Sequence, residues 1–292
     1  MSNDRLAVLK TYKLFIGGSF PRTESGRTLE VVDSKGDLLA HLCYGSRKDL
    51  RNSVVAARKA QKSWAARAAY NRGQILYRMA EMLEGKRSEF IDAIAATCDG
   101  GVRRATKEVD AAIDCLVNFA GWADKYSQVV GCNNPVAGAF YNFTSPEPMG
   151  VVGVIAPNEQ PLLGLVAMLA PVIVSGNTAV VLGSEQHPLA TSIFAEVCAT
   201  SDVPGGVINL LTSKRNELLE HFASHRDFNG VAAAGCSTKQ RTVLELGAAD
   251  NLKRVRLSTL KKKDWYDVKL THSPYRIERF VEMKTVWHPI GS

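Results

Sequence analysis

Short apolar runs alternate with longer segments of helical spacing along the second half of the chain. The mostly apolar runs lie at 151–155, 178–182, 207–211 and 230–234. The segments with helical spacing lie between them, at 162–174, 189–199 and 216–223. Runs of this length are typical of strands buried on both faces, and their alternation with helices indicates crossover connections. The pattern predicts an α/β fold in which helices cover a parallel sheet.

The first part of the chain predicts short strands followed by long helices. Strands are expected at 13–20, 28–32 and 38–43, the first of them with a turn at Gly17-Gly18. Three long helices are expected to follow, the first after Ser46, the others over 70–84 and 102–127. Ser46 is a suitable N-cap because Asp49 follows it in the first turn.

Two further segments predict strands that leave the main body. Residues 131–148 are rich in Gly, Asn and Pro and then alternate weakly over 140–144, which is typical of a strand or hairpin. The last part of the chain, over 281–289, is also strand-like. The basic segment between them and the sheet, from Lys253 to Lys263, is interpreted as a solvated, charged linker.

Composition excludes several classes of protein. Hydrophobic residues make up 46% of the chain, charged residues 22%, and the formal net charge is +7, which excludes disorder and a disulfide-framed miniprotein. The six cysteines include no Cys-x-x-Cys pair. The longest apolar stretch, 162–174, is too short to cross a bilayer, and the first residues do not form a signal peptide. We therefore expect a cytoplasmic protein with reduced thiols and no membrane partner.

Ligands of parallel sheets bind beyond the carboxyl ends of the strands, so the loops near Ala156, Leu182, Thr212 and Ala234 are the expected site. The sequence has no Gly-x-Gly-x-x-Gly, Walker, Gly-x-Ser-x-Gly or His-Glu-x-x-His motif. His221 and His225 have a metal-like spacing on a helix, but no third ligand is evident. No metal site is expected.

A longer pattern resembles a known family. Its strongest part is Glu-Pro-Met-Gly-Val-Val-Gly-Val-Ile-Ala-Pro at 147–157. Further parts follow in register at 14–18, 169–171, 176–178, 184–189, 204–209, 251–255 and 281–286. Together these motifs resemble the aldehyde dehydrogenase superfamily, and the tail resembles more narrowly the non-catalytic C-terminal half of family 16 aldehyde dehydrogenases.

The resemblance implies a domain organisation. Residues 1–131 and 149–260 correspond to a Rossmann-like cofactor-type domain, and residues 132–148 and 264–292 to a small β-strand oligomerisation arm. The family's catalytic domain, which carries its nucleophilic cysteine, has no counterpart, because the chain passes almost directly from Leu260 into the tail. None of the six cysteines falls at the nucleophile position.

Several functional positions of the family carry unsuitable residues. The family's oxyanion amide, in Pro-Trp-Asn, falls on Glu159, whose carboxylate would repel a developing oxyanion. If the alignment with the family motif is shifted by one residue, Asn158 instead occupies the position of the oxyanion amide. The general base falls on Ser258, while Glu245, which lies in a similar Glu-Leu-Gly, belongs to the preceding helix. Ser258 has no evident basic partner, so no catalytic residue is expected.

The cofactor positions are only partly retained. The family's ribose-binding lysine falls on Leu182, which cannot donate a hydrogen bond, whereas its glutamate is retained as Glu185. Pro157, Gly235 and Cys236 occupy weaker cofactor positions, Cys236 in place of the family's pyrophosphate-contacting serine. A family glycine beyond it is Gln240, whose side chain hinders close approach of a phosphate.

Three functional hypotheses follow. The first is a catalytically inactive aldehyde-dehydrogenase-like domain that binds no cofactor and acts in oligomerisation, with itself or with an active subunit. The alternative is a residual oxidoreductase that binds NAD(P) through Glu185. The third is nucleic-acid binding through Lys253, Arg254, Arg256 and the lysines at 261–263. The modest net charge and the lack of interleaved aromatic residues argue against it.

Overall fold

A small mixed sheet begins the chain in the computed structural model, which describes residues 8–291. Strands β1 (Lys10–Tyr12) and β2 (Thr28–Val32) pair on either side of β3 (Leu38–Cys43), the first in parallel and the second antiparallel. The predicted strand over 13–20 is wrong. Gly17 and Gly18 adopt positive φ angles there, so the segment turns tightly and forms only isolated bridges, one of them from Phe15 to Leu210.

Five helices follow where three were predicted. They are α1 (Arg47–Ala66), α2 (Ala69–Gly85), α3 (Arg87–Thr97), α4 (Gly101–Trp122) and α5 (Tyr126–Val130). The predicted N-cap is present, because the Ser46 hydroxyl accepts from the Asp49 amide at 3.3 Å and the Asp49 carboxylate accepts from the Ser46 amide at 2.8 Å. The sequence prediction missed α3, whose N-cap position carries Lys86 with no capping side chain.

After α5 the chain forms a hairpin, and the strands of the main sheet follow it. The hairpin consists of β4 (Cys132–Asn134) and β5 (Phe140–Pro148). The main sheet consists of β6 (Val151–Ile155), β7 (Thr178–Leu182), β8 (Ile208–Leu211), β9 (Gly230–Ala234) and β10 (Arg254–Ser258). All its strands are parallel, in the order β10-β9-β6-β7-β8. The predicted Rossmann-like parallel sheet is confirmed, with one more strand than the apolar pattern indicated.

Helices α6 (Leu163–Val174), α7 (Leu189–Ala199), α8 (Arg215–Ser224) and α9 (Thr238–Ala249) connect these strands. Alternate residues of the strands belong to different hydrophobic clusters: Val152 and Val154 pack into one, Val151 and Ile155 into the other. The sheet is thus buried on both faces, as its near-continuous apolar strands require. In the described part of the chain, no helix has both the length and the apolar character needed to cross a bilayer.

The chain ends by returning to the hairpin. A single 3-10 turn (Asp264–Tyr266) and two four-residue helices, α10 (Val268–Thr271) and α11 (Tyr275–Glu278), lead to β11 (Val281–Pro289). Strand β11 pairs antiparallel with β5 along its whole length, from Val281 opposite Pro148 to Pro289 opposite Phe140. Strands β4, β5 and β11 form the arm sheet. Of the predicted arm, residues 264–280 form the 3-10 turn, α10 and α11 outside this sheet, residue 292 lies outside the described residues, and the oligomerisation role stays a prediction.

Candidate functional site

The candidate site lies at the carboxyl edge of the main sheet. The chain moves from β6 to β7 on one side and later from β9 to β10 on the other, so the strand order reverses between β6 and β9. In open α/β sheets the crevice beyond such a reversal point is the usual ligand-binding site. Residues from the ends of β6, β7, β8 and β9 meet there, as the sequence predicted.

A buried arginine occupies this crevice. Arg215, the first residue of α8, is only 2% exposed. Its Nη2 donates to the carbonyl of Ala156 at 2.8 Å, and its Nη1 donates to the carbonyl of Gly235 at 2.7 Å. Because these two carbonyls follow β6 and β9, the guanidinium joins the two strands across the point where their order reverses.

Glu185 lies beside this arginine and has an internal partner. Its Oε2 accepts from the backbone amide of Arg215 at 2.8 Å, at the start of α8, where the helix dipole favours a negative charge. The Asn158 Oδ1 accepts from the Glu185 amide at 3.1 Å and from the Ser184 hydroxyl at 3.2 Å. Glu185 and Asn158 thus hold the loop after β7 in place, and the cofactor role of Glu185 stays a prediction.

The other weak cofactor positions also meet at the crevice. Gly235 has a φ of +63°. A Cβ atom at this position would lie 3.7 Å from the Cα of Pro157. The Cys236 Sγ lies 4.0 Å from the Arg215 Nη1. Burial raises the pKa of the Cys236 thiol, and the positive charges of Arg215 and Arg241 oppose that shift only in part. The thiol is therefore mainly protonated at neutral pH.

The N-terminus of α9, which follows β9, is capped by its own side chains. The Ser237 hydroxyl accepts from the Gln240 amide at 3.3 Å, and the Gln240 Oε1 accepts from the Ser237 amide at 3.0 Å. The Gln240 Nε2 donates to Asn216 at 2.8 Å. Free amides at a helix N-terminus can bind phosphate, but here two of them already have acceptors. Leu182, at the end of β7, is fully buried.

The family's oxyanion-amide and general-base positions, Glu159 and Ser258, share no hydrogen bond with each other. Glu159 is exposed, and its carbonyl accepts from Arg104. Ser258 ends β10, two strands away from β6, and its hydroxyl accepts from the Leu260 amide at 3.3 Å. Within residues 8–291, no carboxylate or imidazole forms a hydrogen bond with the Ser258 hydroxyl. The geometry provides no proton-transfer pair at these positions.

The remaining thiols and imidazoles do not form a reactive centre. All six cysteines are free; Cys43, Cys98, Cys115 and Cys198 are buried. Burial raises the pKa of Cys115 to about 12 and that of Cys198 still further. Burial lowers the pKa values of His221 and His225, and no metal-binding cluster occurs among the described residues.

Among the buried charged residues that sequence reasoning missed, Arg215 and Glu108 lie in or next to the candidate site. Arg215 follows a polar run after β8 and begins α8. A cation is unfavourable at the start of a helix, and this was the only sign in the sequence that Arg215 has a special role. The fully buried Glu108 of α4 accepts from the amides of Leu162 at 2.9 Å and Leu163 at 3.3 Å. It lies between Ala105 and Val109 on the apolar face of α4, which could have marked it as unusual.

The basic segment 253–263 is not a linker, contrary to the sequence interpretation. Lys253 is only 8% exposed, and its Nζ donates to the carbonyls of Phe222 at 3.1 Å and His225 at 2.7 Å. Arg254 lies in β10 and forms an ion pair with Glu282 of the arm sheet at 2.6 Å. Lys253 and Arg254 stabilise the fold, whereas Arg256 and the lysines at 261–263 stay exposed.

Comparison with known proteins places this architecture in a family. The aldehyde dehydrogenase family model matches residues 21–261. The aldehyde dehydrogenase of Davidiella tassiana is 32% identical over 84% of this chain and 49% of its own length. The mitochondrial aldehyde dehydrogenase of Homo sapiens is also 32% identical, over 84% of this chain and 48% of its own. The chain therefore spans about half the length of the curated relatives it matches.

Solved structures agree with this comparison. The NAD+ complex of an aldehyde dehydrogenase from Bacillus cereus superposes with a TM-score of 0.79 at 27% identity, over 85% of this chain and 50% of that one. A putative aldehyde dehydrogenase from Burkholderia cenocepacia gives a TM-score of 0.80 at 29% identity, over 84% and 50%. Because the family model, the relatives and the solved structures all match over most of its length, the chain belongs to the aldehyde dehydrogenase family.

Proposed function

We propose that this chain is a catalytically inactive, aldehyde-dehydrogenase-like subunit that acts in assembly. It associates with a second copy of itself or with an active aldehyde dehydrogenase subunit, and the arm sheet provides the contact. One contrast carries the proposal: a buried guanidinium fills the crevice of the main sheet, whereas the arm sheet presents a nine-residue edge strand with exposed apolar side chains.

The arm sheet has the features of an association surface. In residues 8–291, β11 has a strand partner on one side only. The pairing register puts Phe140, Met283 and Trp287 on one face, where they are 42%, 46% and 57% exposed. The rings of Phe140 and Trp287 lie 5.7 Å apart, edge to face. An open edge with exposed apolar residues favours pairing with another chain.

The contacts in the crevice support the lack of catalysis. A dinucleotide bound as the resemblance implies would need a donor at Leu182, free amides at the start of α9 and the space that Arg215 occupies. The residues present do not fit such a cofactor. The family positions for the oxyanion amide and general base carry Glu159 and Ser258, which no hydrogen bond connects. Only short helices lie between β10 and the arm sheet.

Sedimentation velocity tests the proposed assembly. We expect the full chain to form dimers or larger species, and Trp287→Glu to weaken association at least about tenfold because it puts a charge on the exposed face. Leu246→Glu is the matched control, since Leu246 is 66% exposed on α9, and it should associate like the unmodified chain. A chain that sediments as a monomer, both alone and mixed with an active aldehyde dehydrogenase, would overturn the proposal.

A second candidate function is residual NAD(P) binding, as an oxidoreductase. Glu185 lies at the predicted crevice, and the related Bacillus cereus enzyme has been solved with NAD+, which favour it. Calorimetric titration with NAD and NADP distinguishes the two. An inactive subunit gives no heat and an unchanged thermal midpoint, whereas saturable binding would favour the second candidate.

The six unpaired cysteines support a location in the reducing cytoplasm.

A further inference from the structure

A cavity of about 730 Å³ lies beside the crevice and is lined by cations from distant parts of the chain. The start of α4 contributes one group and the loop after β10 contributes the other. The cations are Arg103, Arg104, Lys107, Lys261, Lys262 and Lys263. A concave surface lined by charges of one sign concentrates the electric field and attracts ligands of the opposite sign.

A buried amide fixes the two groups of cations relative to each other. Gln160, in the loop after β6, is 1% exposed. Its Oε1 accepts from the Arg104 Nη2 at 3.3 Å and from the Tyr266 hydroxyl at 3.1 Å, while its Nε2 donates to the carbonyl of Lys262 at 3.2 Å. Burial and the nearby Glu108 carboxylate raise the pKa of Tyr266 to about 12, so this hydroxyl keeps its proton.

Most of these cations are not paired with a carboxylate, although Asp99 and Glu159 lie next to the lining residues Gly100 and Gln160 in sequence. Arg104 lies 3.7 Å from the buried Glu108, and the Asp264 carboxylate accepts from the Lys261 amide at 2.9 Å. Among residues 8–291, Arg103, Lys107 and the three lysines form no ion pair. Helix α4 also begins without a capping side chain or an acidic residue in its first turn. Its dipole therefore adds positive potential to that of the side chains.

We propose that this pocket binds a small molecule with two or more phosphate groups. The volume falls in the range of small-molecule sites, and lysines suit phosphate oxygens as strong point charges. The Lys107 Nζ lies over one face of the Tyr266 ring, 4.6 Å from its centroid, so that face is not free for a nucleic-acid base to stack on. The convergence of the cations on one concavity also favours a compact polyanion over an extended one.

Calorimetric titration with sodium tripolyphosphate tests the pocket, at about 150 mM salt so that weak surface attraction is screened. We expect saturable binding with one site per chain. The triple variant Lys261→Ala, Lys262→Ala, Lys263→Ala should weaken the affinity at least tenfold. Arg103→Ala with Lys107→Ala, on the opposite wall, should also weaken it at least tenfold, which keeps the test valid if the loop variant folds poorly.

The matched control removes the same charge elsewhere. Lys35→Ala, Lys59→Ala and Lys62→Ala replace three exposed lysines far from the pocket in sequence, and together they should change the affinity less than twofold. An equal loss in the control and pocket variants would show that only the net charge matters and would overturn the proposal. So would a lack of saturable tripolyphosphate binding by the unmodified chain. Neither outcome depends on whether the arm sheet associates.

Discussion

At the scale of single residues, Arg215 determines what fills the crevice between β6 and β9. A small residue at the start of α8 would leave the crevice between β6 and β9 open. Arg215 instead gives both strand-end carbonyls, those of Ala156 and Gly235, a charged donor. Hydrogen bonds of this kind stabilise the fold more than neutral ones. A position that serves ligand binding in many α/β proteins thereby becomes part of the core.

Replacing Arg215 should reduce stability. Arg215→Met keeps most of the side-chain volume but removes both donors, and we expect the free energy of unfolding to fall by about 1–3 kcal/mol. Urea denaturation measures the change. Lys214→Met, at the exposed neighbouring residue, is the control and should differ by less than about 0.5 kcal/mol. Equal stability of both variants would mean that the bonds of Arg215 contribute nothing net.

Lys253 should make stability depend on pH in the alkaline range. Burial lowers its pKa from 10.5 to about 8 in the folded chain. Between these values the unfolded chain holds more protons, so stability rises with pH, by at most about 1.4 kcal/mol per pH unit. The unfolding free energy of the unmodified chain should therefore rise relative to that of Lys253→Met from pH 8 to 10.5.

The control for this pH dependence is Lys239→Met, which removes an exposed lysine from α9. Its unfolding free energy should run parallel to that of the unmodified chain throughout. A constant difference between the unmodified chain and Lys253→Met over the same range would contradict the assignment of the shift to Lys253.

At the scale of elements, the start of α1 is fixed by local sequence. Ser46 and Asp49 cap each other's amides, and the Ser46 hydroxyl also donates to Glu24 at 3.1 Å. Ser46→Ala should lower the unfolding free energy by about 1 kcal/mol in urea denaturation, because a helix amide loses its acceptor. Ser63→Ala, an exposed change in the same helix, should cost less than about 0.5 kcal/mol, since Ala favours the helix. Equal losses would rule out a special role for the cap.

Most elements were predictable because their determinants are local. Strands β6, β7 and β9 carry apolar runs with turn residues beside them, and their predicted bounds match those observed. Helix α3 lacks a capping residue and was missed. The predicted strand-end loops do meet at one edge of the sheet, but the sequence did not indicate that Arg215 lies between them, because the bonds of Arg215 reach residues 59 and 20 positions away in sequence. Sequence patterns carry little information about such distant contacts.

At the scale of the whole molecule, three regions differ in burial and charge. The main sheet and its helices form a core buried on both faces. The arm sheet exposes apolar side chains, which we propose as an association surface, and the basic pocket lies beside the crevice, between α4 and the loop after β10. The Arg254–Glu282 ion pair joins the main sheet to the arm sheet, so the two are connected by more than the backbone.

The pairing of β11 with β5 also has a consequence for the order of folding. Thr144 and Thr285, whose hydroxyls lie 2.9 Å apart across these strands, are 141 positions apart in sequence, with the whole main sheet between them. Closing so long a loop costs entropy that a folded intervening domain reduces, because it brings the two ends together beforehand. The arm sheet should therefore form late. A chain whose core has not yet folded would lack the completed arm sheet, so the proposed assembly would be restricted to folded subunits.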